Sequence, residues 1–171
     1  MNYFDQESKR LRFRKLSEND ISGWIEFFED NDRLHFLATD STKTKDFLAK
    51  DWITRQLQRY REDGLGLLAV ELKENGKFIG MGGIIPREIH GKNEYEIAYS
   101  LKPKFWKMGY GTEVAKQIKS FGFKNIETNR FISIIHIENS DSIHVAKKNG
   151  MHVLFRTEFM EMPVDVYGIE R

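Results

Sequence analysis

The sequence predicts a single α+β domain built on a mixed sheet, with the element order β-α-α-β-β-β-α-β-α-β-β. Three observations carry this reading. Phe131-Ile132-Ser133-Ile134-Ile135-His136-Ile137 is almost continuously apolar, as a central strand covered on both faces would be. Residues 10–16 and 94–101 alternate with period two, the pattern of half-buried strands. Residues 42–63 place Phe47, Leu48, Trp52, Leu57 and Tyr60 on an apolar stripe and end on Gly64, which reads as a helix C-cap.

The remaining elements follow in chain order. Ser17-Glu18-Asn19-Asp20 holds cap residues, and Ile21, Trp24, Ile25, Phe27 and Phe28 then recur at helical spacing. Residues 33–41 read as loop. Leu65–Leu72 and Phe78–Ile85 read as a hairpin around Glu74-Asn75-Gly76-Lys77. Gly80, Gly82 and Gly83 suggest close backbone approach or a bulge in its second strand. Residues 86–93 read as a polar loop. Thr112–Phe123 is a helix with Val114, Ala115, Ile118, Phe121 and Gly122 inward. Asn139 or Ser140 caps a short helix through Lys148, closed by Gly150. Residues 152–160 and 164–169 finish as strands.

Composition bounds the function. The chain has 171 residues, enough for one domain with a substantial core, and residues 1–9 read as a flexible tail before a domain at 10–171. A formal net charge of +1 gives no broad basic field for nucleic acid, but leaves open a nucleotide held by backbone groups. Cysteine is absent, which excludes disulfides, thiolate metal sites and a catalytic thiol. The five histidines lack metal-ligand spacing such as His-Glu-x-x-His, so no metal is expected. No stretch of about 18 apolar residues argues for a membrane span, and residues 1–9 lack the apolar core of a signal peptide. The expectation is a cytoplasmic protein.

The stretch from Tyr99 to Ala115 reads as strand, short loop and helix, with Gly109 and Gly111 at the turn into the helix. A helix start offers unpaired N–H groups and the positive end of a dipole, and glycines let a ligand approach them. Pyrophosphate suits such a turn. No Gly-Lys-Ser/Thr follows, so it is not a P-loop, and Val114 breaks the Gly-x-Gly-x-x-Gly fingerprint. Alone, the turn reads equally well as tight helix packing.

Trp106-Lys107-Met108-Gly109-Tyr110-Gly111 resembles the Gln/Arg-x-x-Gly-x-Gly/Ala motif of the Gcn5-related N-acetyltransferases, departing at Trp106. Phe105 to Val114 is similar to the version in the branch of ribosomal-protein N-acetyltransferases. Asn139-Ser140-Asp141-Ser142 and Lys147-Lys148-Asn149-Gly150-Met151 resemble that branch's second motif, and the likeness extends over roughly residues 10–170. The resemblance implies the fold of that family, acetyl-CoA as cosubstrate, an amine as acceptor and a possible homodimer. It implies that a bulge makes the strand bearing Tyr99 and Leu101 splay from its neighbour, opening a gap for thioester and pantetheine. It implies coenzyme contacts from Tyr99, Leu101, Met108, Gly109, Tyr110, Gly111, Thr112, Asn139 and Ser142. Lys148, one turn from His144 on the same helix, reads equally as a nucleotide contact or as part of a solvated face.

Acetyl transfer to an amine needs a base, an oxyanion donor and a donor to the leaving thiolate. Glu96 is the first candidate base and Glu94 the second; both also read as solvated edge carboxylates. Many family members use a tyrosine on the last helix as acid, but none lies between Asn139 and Gly150. Ser142 takes that region, as a hydrogen-bond donor to sulfur or as a helix cap. Asn139 reads as a pantetheine contact or the cap itself. Tyr167 is a weaker candidate for the acceptor pocket, and Trp106 reads as packing. A domain of the same fold that holds CoA without transferring anything is the alternative function.

Overall fold

The computed structural model describes residues 2–171. Eight strands form one sheet in the order β1-β2-β3-β4-β5-β6-β8-β7. They are β1 (Asp5–Glu7), β2 (Leu11–Arg14), β3 (Gly66–Leu72), β4 (Phe78–Ile89), β5 (Lys92–Leu101), β6 (Arg130–His136), β7 (His152–Phe159) and β8 (Met162–Glu170). The helices are α1 (Ile21–Trp24), α2 (Lys45–Asp63), α3 (Tyr110–Asn125) and α4 (Ser140–Lys148). The expected α+β architecture and element order are present, with β1 added at the front.

Every neighbouring pair in the sheet is antiparallel except β5 and β6. Parallel strands need a crossover, and α3 supplies it. These two strands are in register at a single pair, Glu96 with Ile132, and then diverge. The expected splay is therefore present. The expected bulge in β5 is not: β4 and β5 keep one unbroken register from Gly80–Leu101 to Ile89–Lys92. Divergence of the strands opens the gap without an inserted residue. Register shifts fall instead at Val70/Glu71 and Val153/Phe155.

The same pairing corrects the polar loop expected at residues 86–93. Both strands run through it to a tight turn at His90 (φ 49°) and Gly91 (φ 72°). Two positive φ angles are what a two-residue hairpin with a type I′ turn requires. Pro86 is tolerated because it lies beyond the end of the β3 pairing, where β4 has become an edge.

The helices follow their sequence signals closely. Thr44 caps α2, its hydroxyl accepting from Phe47 N at 3.1 Å, and Gly64 closes it at φ 66°. Its buried face is Ala49, Ile53, Gln56 and Tyr60; the expected stripe was rotated, and Phe47 is exposed. Gln56 is buried because its Oε1 accepts from Leu67 N at 3.0 Å. The apolar run at 21–28 is broken into α1 between two 3₁₀ turns, packed by stacking of Trp24 on Phe27 and edge contact with Trp52. The inner face of α3 is Val114, Ala115, Ile118, Phe121 and Gly122, as read from the sequence. A Cβ at Gly122 would collide with the Phe131 ring, so the glycine sets how closely α3 lies on β6.

The reading of residues 1–9 as a flexible tail does not hold for residues 2–9; Met1 lies outside the described residues. Asp5–Glu7 forms the edge strand β1 on β2. Tyr3 is buried, with its ring edge-on to Phe121. Its hydroxyl donates to Gly66 O at 2.5 Å and accepts from Ile84 N at 2.8 Å, sitting between a pair of facing β3 and β4 residues. Tyr3→Phe should therefore destabilise the fold by about 1–3 kcal/mol, since a buried N–H and carbonyl lose their partner. Urea denaturation of the two proteins measures this; an unchanged midpoint would return the segment to the status of a loose tail.

Candidate active site

Two cavities open where β5 and β6 part. One, of ≈ 470 Å³, lies between the end of β5, the start of α3 and α4. The other, of ≈ 210 Å³, lies among α2, β4, β5, β6 and the β7–β8 turn. Leu37, Tyr99, Ser100, Asn139 and Ser142 line both, so the cavities meet at the parting of the strands. Ser133 of β6 marks the point of divergence: its buried hydroxyl donates to Ile97 O at 2.7 Å, replacing a ladder bond.

The larger cavity ends on the glycine turn. Gly109 stands before α3 at φ 80°, a left-handed conformation suited to glycine. The first-turn amides at Tyr110, Gly111 and Thr112 have no carbonyl a turn earlier in the helix to pair with. Gly111 has room: an added Cβ would meet nothing closer than Val145 Cγ2 at 3.6 Å. Lys107 also holds a left-handed φ of 59°, strain that the surrounding contacts must support.

Those contacts come from the other end of the chain. Glu113 of α3 accepts from Ser8 Oγ at 2.6 Å, Arg10 N at 2.7 Å and Arg10 Nε at 2.6 Å. Arg10 Nη1 donates to Met108 O at 3.0 Å, and the guanidinium lies 4.3 Å from the Tyr110 ring centroid. Burial alone would raise the Glu113 carboxyl; the bonds from Ser8 and Arg10 outweigh it and hold it below the usual glutamate range. This brace was missed in the sequence, where nothing local links residues 8–10 to residue 113.

Most of the expected coenzyme residues converge. Tyr99, Leu101, Gly109, Tyr110, Gly111, Thr112, Asn139, Ser142 and Lys148 all line the larger cavity. Met108 does not; its side chain is exposed while its carbonyl is tied to Arg10. Trp106 packs, its indole N–H donating to Leu101 O at 2.8 Å under the Arg33 guanidinium. Arg33 also pairs with Asp141 of α4, so it spans the cavity's two walls. Asn139 caps α4, its Oδ1 accepting from Ser142 N at 3.3 Å. The Tyr99 hydroxyl reaches Ser142 O at 3.4 Å, and burial pushes its phenol above the usual range, so it stays protonated at neutral pH.

The two candidate bases separate. Glu96 is buried, lines the smaller cavity and accepts from Arg87 Nε at 2.6 Å through Oε2. Glu94 is paired with Arg130 and lines neither cavity. Tyr167 is buried in the core and lines neither. The smaller cavity instead gathers His136 and three arginines, Arg55, Arg59 and Arg87, none of which the sequence reading singled out. The spacing of Arg55 and Arg59, one helical turn apart on α2, was the available signal.

Comparison with known proteins decides the family. The acetyltransferase (GNAT) domain profile matches residues 10–152. The chain belongs to the GNAT acetyltransferase family. An uncharacterized Bacillus subtilis (strain 168) protein, YkkB, is 27% identical over 161 residues, covering 92% of this chain and 91% of its own. A putative ribosomal-protein-serine acetyltransferase from Vibrio cholerae shares the fold with a TM-score of 0.81 at 18% identity, covering 99% of both chains. RimL, a ribosomal L7/L12 α-N-protein acetyltransferase solved with coenzyme A, shares it with a TM-score of 0.75 at 14% identity, over 95% of both chains.

The Glu113 brace has a pH signature. A carboxyl depressed by folding adds stability that is present above its unfolded value, about 4.3, and is lost as pH falls through the lower folded value. Glutamine has no proton to gain. Glu113→Gln should thus be less stable than the wild type at pH 6–7, with the gap narrowing below about pH 4. Urea midpoints across that range test it; a gap independent of pH would mean the carboxylate charge contributes nothing.

Proposed function

We propose that this GNAT domain moves the acetyl group of acetyl-CoA to a primary amine, a small-molecule amine or a protein N-terminal α-amine, by direct attack with both substrates bound. The observation that carries this reading is the junction of two cavities at Tyr99, Ser100, Asn139 and Ser142, with free helix-start amides beyond one end and Glu96 at the other. A two-substrate transfer needs two pockets that meet at the reacting atoms.

In this reading the turn from Gly109 to Thr112 takes the pyrophosphate of CoA on main-chain N–H groups, and Lys148 lies along the same cavity. The pantetheine follows the diverging edge of β5 past Leu101 and Tyr99 toward Asn139. The amine enters from the smaller cavity. An alkylammonium has a pKa near ~10, so it must lose a proton before attack. Glu96 accepts it, directly or through water. Arg87 engages Oε2, and among the described residues no hydrogen bond reaches Oε1. Attack on the thioester carbonyl forms the C–N bond, and collapse breaks the C–S bond. The leaving thiolate meets two hydroxyls, those of Tyr99 and Ser142. Tyr99 is the better proton source, because a phenol is far more acidic than an aliphatic alcohol. Ser142 is the weaker donor of a hydrogen bond.

Two variants test the two halves separately. Glu96→Gln should lower turnover by about 10²–10⁴-fold with CoA affinity unchanged, read as free thiol release from acetyl-CoA across an amine panel. Turnover within about twofold of wild type would move the base elsewhere. Gly111→Ala should fold at least as stably, since its Cβ makes only ordinary contacts, the nearest with Val145 Cγ2 at 3.6 Å, and alanine favours helix by up to about 1 kcal/mol. It should nonetheless bind CoA more weakly in calorimetric titration, because the methyl occupies the face offered to phosphate. Unaltered binding would remove the turn as the phosphate site.

A further inference from the structure

The smaller cavity is electrostatically lopsided. Besides Tyr99, its ionisable lining is three arginines and His136 against one glutamate. Arg87 is already engaged, bonded to Glu96 and lying over the Phe159 ring. Arg55 has a partner in Asp51 at 3.2 Å, which lies outside the cavity. Arg59 has no carboxylate partner among the described residues; its only hydrogen bond there is from Nη1 to Gln56 Oε1 at 3.2 Å. Gln56 is itself fixed by Leu67 N, so one edge of the Arg59 guanidinium is held in place by a neutral group, while the carboxylates of Glu96 and Asp63 act on its charge without pairing with it. Burial, together with Arg87 and Arg55 beside it, holds Arg59 below the usual arginine range, so its charge is carried at a cost.

A half-buried cation among two others, in a cavity that joins a reaction centre, is a poor arrangement for a substrate amine with no other charge. With Arg87 paired to Glu96 and Arg55 to Asp51, the guanidinium without a directly paired carboxylate among the described residues is that of Arg59, and it repels an ammonium group. The arrangement suits a molecule with a negative end, because a guanidinium recognises carboxylate and phosphate oxygens through paired N–H donors. Trp52 lines the same cavity, and its buried indole N–H has no acceptor among the described residues.

We propose that the acceptor is an amine that also carries an anionic group, a carboxylate or a phosphate, which docks on Arg59 with Arg55 beside it while the amine lies toward Glu96. The amine end of this statement rests on the acetyl-transfer reading; the anion end rests on the arginines alone. Arg59 and Arg55 are thus specificity residues, and Arg87 serves to position Glu96.

Three matched pairs of probes isolate the anion: β-alanine against β-alaninamide, phosphoethanolamine against ethanolamine, and the amidated dipeptides Ala-Asp against Ala-Asn. Binding of each to the CoA-loaded protein is measured by calorimetry, and thiol release from acetyl-CoA is measured in parallel. The acidic member of at least one pair should bind about tenfold tighter or more, with the advantage shrinking as salt is raised. Which pair shows it separates carboxylate from phosphate and a free small molecule from a peptide. Arg59→Gln should bring that ratio close to one, and Arg59→Lys should restore much of it. Equal binding within every pair overturns the proposal, as does an advantage that persists in Arg59→Gln. An acidic preference in binding without thiol release would leave the anion site standing and remove the transferase reading. Release with neutral amines and no preference would do the reverse.

Discussion

The site exists because two parallel strands meet at one residue pair and then part. β5 is bound to β4 along ten consecutive pairs and β6 to β8 along seven, so each side of the gap is a well-braced sheet. Between them only Glu96–Ile132 is in register, and the Ser133 hydroxyl takes one further carbonyl. Backbone polar groups along a parted edge must find partners, and a ligand that supplies them is favoured over one that does not. The same parting gives α3 and α4 room to begin at its rim, bringing a helix start to one side and a capped helix start to the other. Rigid walls around a missing ladder place the reacting atoms more reliably than a loop would.

The departure at Trp106 becomes intelligible against that geometry. A polar side chain at the first motif position could address a phosphate; an indole cannot carry that charge. Here the indole N–H is spent on Leu101 O, and the ring provides a surface for Arg33. Arg33 then joins Asp141 across the groove. Arg33, from the segment after α1, thus ties the indole of the motif to α4.

Much of the fold was legible because its signals are local and periodic. The inward face of α3, the cap at Asn139, the Gly64 stop and the turn at residues 74–77 each rest on residues within a few positions of one another. The glycine turn was legible for the same reason. Residues 86–93 were misread because the far end of the β4–β5 ribbon has little core to alternate against, with Ile89 its main buried apolar residue. The first nine residues were misread because their polarity hides one buried hydroxyl, on Tyr3. At the site, the sequence ranked Glu96 first and Glu94 second on the same strand face; the positions of Arg130 and Arg87 separate their surroundings. The arginines of α2 show no local sign of which cavity they will reach, since that depends on how the helix is rotated, and Gln56 sets that rotation through a hydrogen bond to β3.

The bond between Arg10 and Glu113 joins residues 103 positions apart. On the ribosome the N-terminal segment emerges first, at about 5–20 residues per second, and then waits several seconds for its partner to be made. The partners of Tyr3, Gly66 and Ile84, are made earlier in synthesis; Ser8 and Arg10 lack theirs until Glu113 arrives. Closing so long a loop costs entropy that only the finished sheet can offset. A chain that ends before residue 113 therefore cannot brace the glycine turn from its own N-terminal segment, however complete its first strands are.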